Sequence, residues 1–353
     1  MRACSVVVLM LMCGAAAEAG AGGWKTYTSK RDVRDLAVSG DHSLLWVATG
    51  GGMFSYRFAD STFQQFTTSE GLKTIDLTAI AVDTQGMIWI GAQNGFLHRY
   101  DPVRNQWQYI SDVFIRSDPN KRINGLEIFG DTLFVLSDIG VSLFSLSRLE
   151  FGDTYARFGT APDQMVGQVT ALHSYQGRIW VGTRTGVAST PITNTNPSAP
   201  ESWTITHGLP SNTISGFIGL DSTLYIGTTA GLASLSGGNL TVVPGTSGLD
   251  IIDTDSGDDY LPGSILFITR RDVWSYSNSV LQKFNSTLPS TLTRITTMGR
   301  LFLGSQDSGT LQSTIVDRTP NPPDLFHSAV YPPGPPSNNF IGVAVDERSV
   351  VWS

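Results

Sequence analysis

A short apolar pattern recurs along this chain at nearly constant intervals, and it constrains the fold more than any other feature of the sequence. The first copy is WVATGGG at 46–52, an aromatic residue followed by apolar or small residues and then glycine. The aromatic anchors, the last two of them in weaker copies, are Trp46, Trp89, Phe134, Trp180, Tyr225, Phe267 and Phe302, at spacings of 43, 45, 46, 45, 42 and 35 residues. An eighth anchor, Trp352, follows 50 residues later. This period indicates a supersecondary unit that is repeated many times.

Each repeat contains four short strands separated by tight-turn signals. Around Tyr225 the strands are predicted at Ile214–Leu220, Leu224–Thr228, Leu232–Ser236 and Leu240–Pro244. The second strand of a repeat is apolar on both faces, as expected when neighbouring sheets stack on each other. A solenoid shares the repeat but usually has shorter units or helices. The sequence therefore predicts an all-β fold, a β-propeller of seven four-stranded blades.

The ring is predicted to close through an N-terminal outer strand, which removes the exposed edges of an open array. Trp24–Thr28 precedes the first complete repeat, so we expect it to pair with the strand near Thr310–Val316 in the last blade. The propeller is then 20–318. Residues 319–337 contain seven prolines and are predicted to form a linker. Residues 338–353 restart the pattern, as the beginning of a second propeller or, alternatively, as a further blade of an eight- or nine-bladed ring.

The first 19 residues have the pattern of a cleaved signal peptide. Arg2 precedes an apolar run of 13 residues, 5–17, and Ala17-Glu18-Ala19 offers a cleavage site. The run is too short to span a bilayer. Both cysteines, Cys4 and Cys13, lie in this segment, so the mature chain would contain no disulfide. Two alternatives are a buried N-terminal element and lipidation of Cys13, which Met12 disfavours because lipidation needs a small residue there.

Several segments resemble known propeller repeats. GLPSN at 208–212, AVDTQGMIWIG at 81–91 and YIGTTAGL at 225–232 are similar to repeats of periplasmic two-component regulators. The opening is more similar to the N-terminal propeller of PorZ-type proteins of the type IX secretion system. The matching segments there are WKTYT at 24–28, DLA at 35–37, WVATGGGMF at 46–54 and FTTSEGL at 66–72. The repeats at Phe134, Phe267 and Phe302 lack the tryptophan of the consensus.

The resemblance implies a non-enzymatic binding or scaffold module, exported to the periplasm or cell surface of a Gram-negative-type bacterium and working in type IX secretion or surface attachment of cargo. The alternative is the ligand-sensing propeller of a hybrid two-component regulator, and a third possibility is a propeller hydrolase or lyase. In the first two cases a protein, glycan or lipopolysaccharide ligand would bind a propeller face. A net charge of −7 and the lack of a basic cluster argue against nucleic acid as a partner.

No residue pattern in the sequence predicts catalytic, cofactor-binding or metal-binding residues, and no transmembrane segment is predicted. The five histidines, at wide spacings, are His42, His98, His173, His207 and His327. Asp83 starts a turn that resembles the Asp-box of sialidases, but it has one residue too many before the glycine and is predicted to be structural. The acidic run Asp250–Asp259 is predicted to be a solvated loop between strands, with calcium binding as the alternative.

Overall fold

Each aromatic-anchored repeat folds into one antiparallel sheet, and the sheets follow one another around a central channel. The computed structural model describes residues 26–257, 260–285, 287–297, 300–317, 324–338, 344–345 and 351–352. Within these residues there are seven four-stranded sheets, so the predicted seven-bladed β-propeller is confirmed. In every blade the strands follow chain order from the channel outwards, and the inner strand of the last blade contacts that of the first.

The strands are numbered along the chain. Blades 1 to 3 consist of β1 (Val33–Val38), β2 (Leu44–Thr49), β3 (Gly52–Arg57), β4 (Phe63–Phe66); β5 (Leu77–Val82), β6 (Ile88–Ala92), β7 (Leu97–Asp101), β8 (Gln106–Ile110); and β9 (Ile123–Phe129), β10 (Thr132–Ser137), β11 (Gly140–Ser145), β12 (Glu150–Tyr155). A hairpin between blades 3 and 4 consists of β13 (Arg157–Phe158) and β14 (Met165–Val166).

Blades 4 to 7 consist of β15 (Val169–Tyr175), β16 (Arg178–Thr183), β17 (Val187–Pro191), β18 (Thr204–Thr206); β19 (Ile214–Leu220), β20 (Thr223–Thr228), β21 (Gly231–Ser236), β22 (Asn239–Val242); β23 (Asp253–Ser256), β24 (Ile265–Ile268), β25 (Val273–Ser277), β26 (Val280–Lys283); and β27 (Leu292–Thr297), β28 (Leu301–Ser305), β29 (Thr310–Asp317), β30 (Asp324–Val330). The remaining elements are a strand pair, β31 (Ala344–Val345) and β32 (Val351–Trp352), and 3-10 helices at Thr68–Glu70 and Pro200–Ser202.

The second strand of each blade supplies much of the core between neighbouring sheets. Trp46 on β2 is buried between blades 1 and 2, with ring centroids 5.9 Å from Phe66 and 6.2 Å from Tyr100. The small residue two positions after the aromatic allows the next blade to approach: a Cβ on Gly182 would lie 2.6 Å from Ile214 Cγ2. The aromatic anchor therefore packs between neighbouring blades, and the small residue lets their backbones come close.

A polar belt links inner strands of neighbouring blades. In each link a side chain near the start of one inner strand donates to the first carbonyl of the next inner strand. The described links are Thr78 Oγ1 to Ile123 O (2.6 Å), Asn124 Nδ2 to Val169 O (3.0 Å), Thr170 Oγ1 to Ile214 O (2.7 Å) and Thr293 Oγ1 to Val33 O (2.8 Å). The last of these joins blade 7 to blade 1, so the belt crosses the seam of the ring.

The predicted closure by an N-terminal outer strand is wrong. The outer strand of blade 7 is β30, which pairs with β29 and lies inside the range 319–337 that was predicted to be a linker. Residues 26–30 are not in a strand. They lie at the seam instead, where Ser29 N donates to Asn338 Oδ1 at 2.6 Å, and the Arg31 guanidinium lies 4.7 Å from the Tyr331 ring centroid.

Other predictions fall mainly outside the described residues. The signal peptide, 1–19, lies there entirely, as does Trp24. Of the range 338–353, the structure describes only Asn338 and the β31–β32 pair, so the second propeller stays a prediction. In the part of the chain that is described, none of the helices has the length and apolar character needed to cross a membrane.

Candidate functional site: the channel and the upper face

Seven inner strands, one from each blade, surround a channel cavity of about 270 Å³. Most inner strands have a β-bulge near their start. The residue that follows this bulge is small in four blades, namely Ala79, Gly125, Ala171 and Gly216. In blades 1, 6 and 7 the equivalent residues are Asp35, Asp253 and Arg294. The departure from small residues therefore places three charged side chains on one side of the channel.

These three side chains are held by neighbouring blades. Arg294 Nε donates to Asp35 Oδ1 at 3.2 Å, across the seam between blades 7 and 1. The other carboxyl oxygen of Asp35 accepts from Ile80 N at 2.9 Å, and Asp253 Oδ2 accepts from Ile295 N at 3.0 Å. Each hydrogen bond joins one blade to the next, so the charged group has a structural role in the ring.

Two further carboxyls, Glu127 and Asp255, line the same channel. Burial raises the pKa of Glu127 to about 8, and the negative charges of Asp35 and Asp253 act in the same direction. Burial also raises the pKa of Asp255 to about 7 and that of Asp253 to about 6, the latter against the opposing charge of Arg294. The three carboxyls in the channel therefore hold their protons to higher pH than exposed carboxyls do.

The histidines are dispersed over the structure. His98 is fully buried and accepts from Lys73 N at 3.1 Å, and burial lowers its pKa to about 4. His173 lies in the channel wall, and burial lowers its pKa. His42 is exposed in a turn, the exposed His207 has Nε2 3.9 Å from Asp163 Oδ2, and His327 lies on β30. Among the described residues, no group of three His, Cys, Asp or Glu side chains is arranged to hold a metal ion.

Asp83 stabilises a turn, in the structural role that the sequence predicts for it. Asp83 Oδ1 accepts from Gln85 N and Met87 N, both at 2.9 Å. Its second oxygen accepts from Trp89 Nε1 at 2.9 Å, which fixes the buried indole. The carboxylate thus satisfies donors of its own hairpin.

The predicted loop at Asp250–Asp259 needs correction. Asp253 and Asp255 belong to the inner strand β23, and both line the channel. Asp250, just before that strand, pairs with Arg270 at 3.2 Å. Asp258 and Asp259 lie outside the described residues. Side chains alternate along β23, so Asp253 and Asp255 lie on the same face of the strand, towards the channel. The acidic composition of the segment suggested instead that they face bulk solvent.

One face of the ring, which we call the upper face, carries the loops between blades and the turns between second and third strands. The longest described inter-blade loops, 111–122 and 156–168, flank blade 3 on this face. They present Ile115 and Val166, which are 72% and 61% exposed. A cavity of about 210 Å³ lies beside the first loop and one of about 680 Å³ beside the second.

The smaller cavity, which we call the blade 2–3 pocket, is lined by cationic, amide, aromatic and acidic side chains. Its lining residues are Gln93, Asn94, Phe114, Pro119, Asn120, Lys121, Arg122 and Asp138. The sequence alone gives no indication that these residues, or Glu127 and Arg294 in the channel, line a site, and it marks Asp35 only as part of the PorZ-like opening. These residues could have been found in the sequence only by aligning the repeats, because each charged residue occupies a position at which other blades have a small or neutral residue.

Comparison with known proteins gives matches by structure only. No family model matches the chain, and no curated protein sequence matches it. PorZ, an essential bacterial surface component of the type IX secretion system of Porphyromonas gingivalis, superposes with a TM-score of 0.73 at 14% identity, over 94% of this chain and 43% of PorZ. The chain thus spans less than half the length of that protein.

Two further structures support the same fold. The extracellular domain of the hybrid two-component system BT3049 from B. thetaiotaomicron has a TM-score of 0.63 at 14% identity, over 93% of this chain and 52% of that domain. The WD40 repeats of RRP9 have a TM-score of 0.61 at 11% identity, over 85% of this chain and 95% of theirs. The resemblance to PorZ and to two-component regulator propellers is confirmed, and at these identities it shows the fold.

Proposed function

We propose that this chain is a non-enzymatic binding or scaffold module of an exported protein, located in the periplasm or at the cell surface. Its role would be in type IX secretion or in the attachment of cargo to the surface. The observation that carries the proposal is the upper face, where two long loops with exposed apolar side chains border two cavities. Such loops on a rigid ring are the usual location of binding residues.

The hydrogen-bonding pattern in the channel supports a non-enzymatic role. Asp35 and Asp253 accept backbone N–H groups of the next blade, and Arg294 pairs with Asp35. These hydrogen bonds join blades to each other, which is a structural use of the three charged groups. The likeness to PorZ, a surface component of a secretion system, supports the extracytoplasmic location.

The second candidate function is ligand sensing in a two-component regulator. The observation in its favour is the likeness to the extracellular domain of BT3049, which covers 93% of this chain. The two functions predict different consequences of losing the gene. Loss of a secretion component removes cargo proteins from the cell surface and medium, whereas loss of a sensor changes transcription in response to a ligand.

The test is a gene deletion in the bacterium that carries this sequence, with three measurements. Fractionation and protease treatment of intact cells locate the protein, proteomics of surface and medium measure cargo, and RNA sequencing measures transcription. We expect surface or periplasmic location and loss of cargo proteins from the surface, restored by the wild-type gene. A cytoplasmic protein would refute the proposal. Altered transcription with unchanged cargo would favour the sensor.

A further inference from the structure

Arg122, in the blade 2–3 pocket, has no ion-pair partner among the residues that the structure describes. The residue immediately before the inner strand is also charged in blades 1 and 2, where Asp32 and Asp76 lie 2.7 Å and 3.9 Å from the guanidinium of Arg34. Arg122 occupies that position in blade 3. Its Nε is buried and has no hydrogen-bond partner among the described residues, which also provide no ion pair for its guanidinium.

Other positive charges lie near Arg122. Burial lowers the pKa of Arg122, and the charges of Arg34 and Arg294 lower it further. Both of those arginines already have carboxylate partners, Asp32 and Asp35. A guanidinium that is desolvated and close to other cations is stabilised by an anion, because the anion supplies both the missing charge and the missing hydrogen-bond acceptor.

The rest of the pocket provides further donors. Lys121 Nζ donates to Phe114 O and Arg116 O, which holds the ammonium in place and leaves one of its three protons free of these bonds. Asn94 Oδ1 accepts from Phe96 N at 3.2 Å, so the donor end of that amide is directed elsewhere. A volume of about 210 Å³ is sufficient for a small anion and part of the molecule that carries it.

We propose that the blade 2–3 pocket binds an oxyanion, the carboxylate or phosphate group of a ligand, with Arg122 as the principal contact and Lys121 as the second cation. This inference rests on the proposed binding role of the upper face. The planar guanidinium offers two parallel N–H donors to two oxygens of such a group. Phe114, which is 36% exposed, provides an apolar wall for the part of the ligand next to the anion.

Asp138 is the opposing charge in this pocket. Its Oδ1 accepts from Asn124 Nδ2 at 3.0 Å, and its negative charge raises the pKa of Arg122, against the other influences. It therefore weakens the binding of an anion. Replacing it with asparagine removes that repulsion and leaves a side chain of the same shape, so Asp138→Asn is expected to bind the anion more tightly than wild type.

The test is isothermal titration calorimetry of the purified chain with sodium phosphate and with sodium succinate, at constant ionic strength balanced with sodium chloride. Arg122→Gln is expected to raise the Kd about tenfold or more, the usual effect of losing a charge-assisted hydrogen-bonded pair. Arg122→Lys, which keeps the charge but loses the fork, is expected to be intermediate. The matched control is Arg148→Gln, which removes an exposed arginine of the same blade on the opposite face and leaves the Kd unchanged.

Binding of either anion that weakens in Arg122→Gln and tightens in Asp138→Asn supports the site. If neither anion binds, or if Arg122→Gln and Arg148→Gln bind the anion with the same Kd, the proposal is refuted. If circular dichroism shows that Arg122→Gln is unfolded, the other two variants test the site. Arg122→Lys is expected to raise the Kd and Asp138→Asn to lower it, and the absence of both shifts refutes the proposal. These measurements do not depend on cell location or cargo, so failure of the oxyanion site is distinguishable from failure of the proposed function.

Discussion

Removing the Glu127 charge is expected to stabilise the propeller at high pH and to have little effect at low pH. Burial raises the pKa of Glu127 from 4.5 to about 8, so the folded protein binds a proton that the unfolded chain has already lost. The sign follows from linkage: a carboxyl with a raised folded pKa destabilises the fold as pH rises from about 4.5 to about 8. Glu127→Gln keeps the shape of the side chain and removes this penalty.

The size of the effect comes from the same pKa. A value of about 8 against 4.5 corresponds to a penalty of about 5 kcal/mol above pH 8. Glu127 is only partly buried in the channel, and solvent there screens its charge, so we expect about 2–4 kcal/mol. Typical domains are stable by only about 5–15 kcal/mol in total, so a difference of this size is readily measured.

The assay is urea unfolding of wild type and Glu127→Gln at pH 5, 7 and 9, followed by tryptophan fluorescence. The difference in unfolding free energy should be small at pH 5 and reach about 2–4 kcal/mol at pH 9. Glu150→Gln, which changes an exposed carboxylate of the same blade, controls for net charge. A Glu127→Gln difference that does not vary with pH, or that matches the control, would refute the assigned pKa shift.

Three further substitutions test the ring. Arg294→Met leaves Asp35 without its cation, and we expect a loss of about 3–5 kcal/mol at pH 8 and less at pH 4, measured by urea unfolding; equal losses at both pH values would contradict this. Trp89→Ala empties a fully buried site and should cost about 3–5 kcal/mol, which an unchanged melting temperature would disprove. Phe302→Ala removes a buried ring stacked 5.5 Å from Phe58 across the seam, so we expect a similar cost and, by size-exclusion chromatography, association through the opened seam.

The blade count could be predicted from the sequence because the second strand has the strictest physical requirement. It is buried on both faces, as in β2 and β6, and therefore needs a continuous apolar run with an aromatic anchor such as Trp46 or Trp89. A requirement this strong leaves a pattern that survives in every repeat, including those in which phenylalanine replaces tryptophan.

The closing strand could not be predicted, because outer strands have weak requirements. In β8 every residue is exposed or only partly buried, so almost any extended polar segment can provide such a strand. Trp24–Thr28 resembled β8 in sequence, whereas β30 lies between prolines and resembled a linker. The choice between them depends on the geometry of the seam, where Thr293 and Arg294 bind β1 directly, and that geometry has no local signature in the sequence.

The charged residues of the candidate site were missed because local sequence gives no indication of the channel. Asp253 and Asp255 appear in an acidic run, which suggests bulk solvent, and Arg122 follows Lys121 at the end of a polar loop. Only the alignment of blades reveals that Arg122 corresponds to Asp32 in blade 1, where the charge is paired. In a ring of equivalent blades the backbone is repeated and the side chains differ, so an unpaired charge at an aligned position is a better guide to binding than composition.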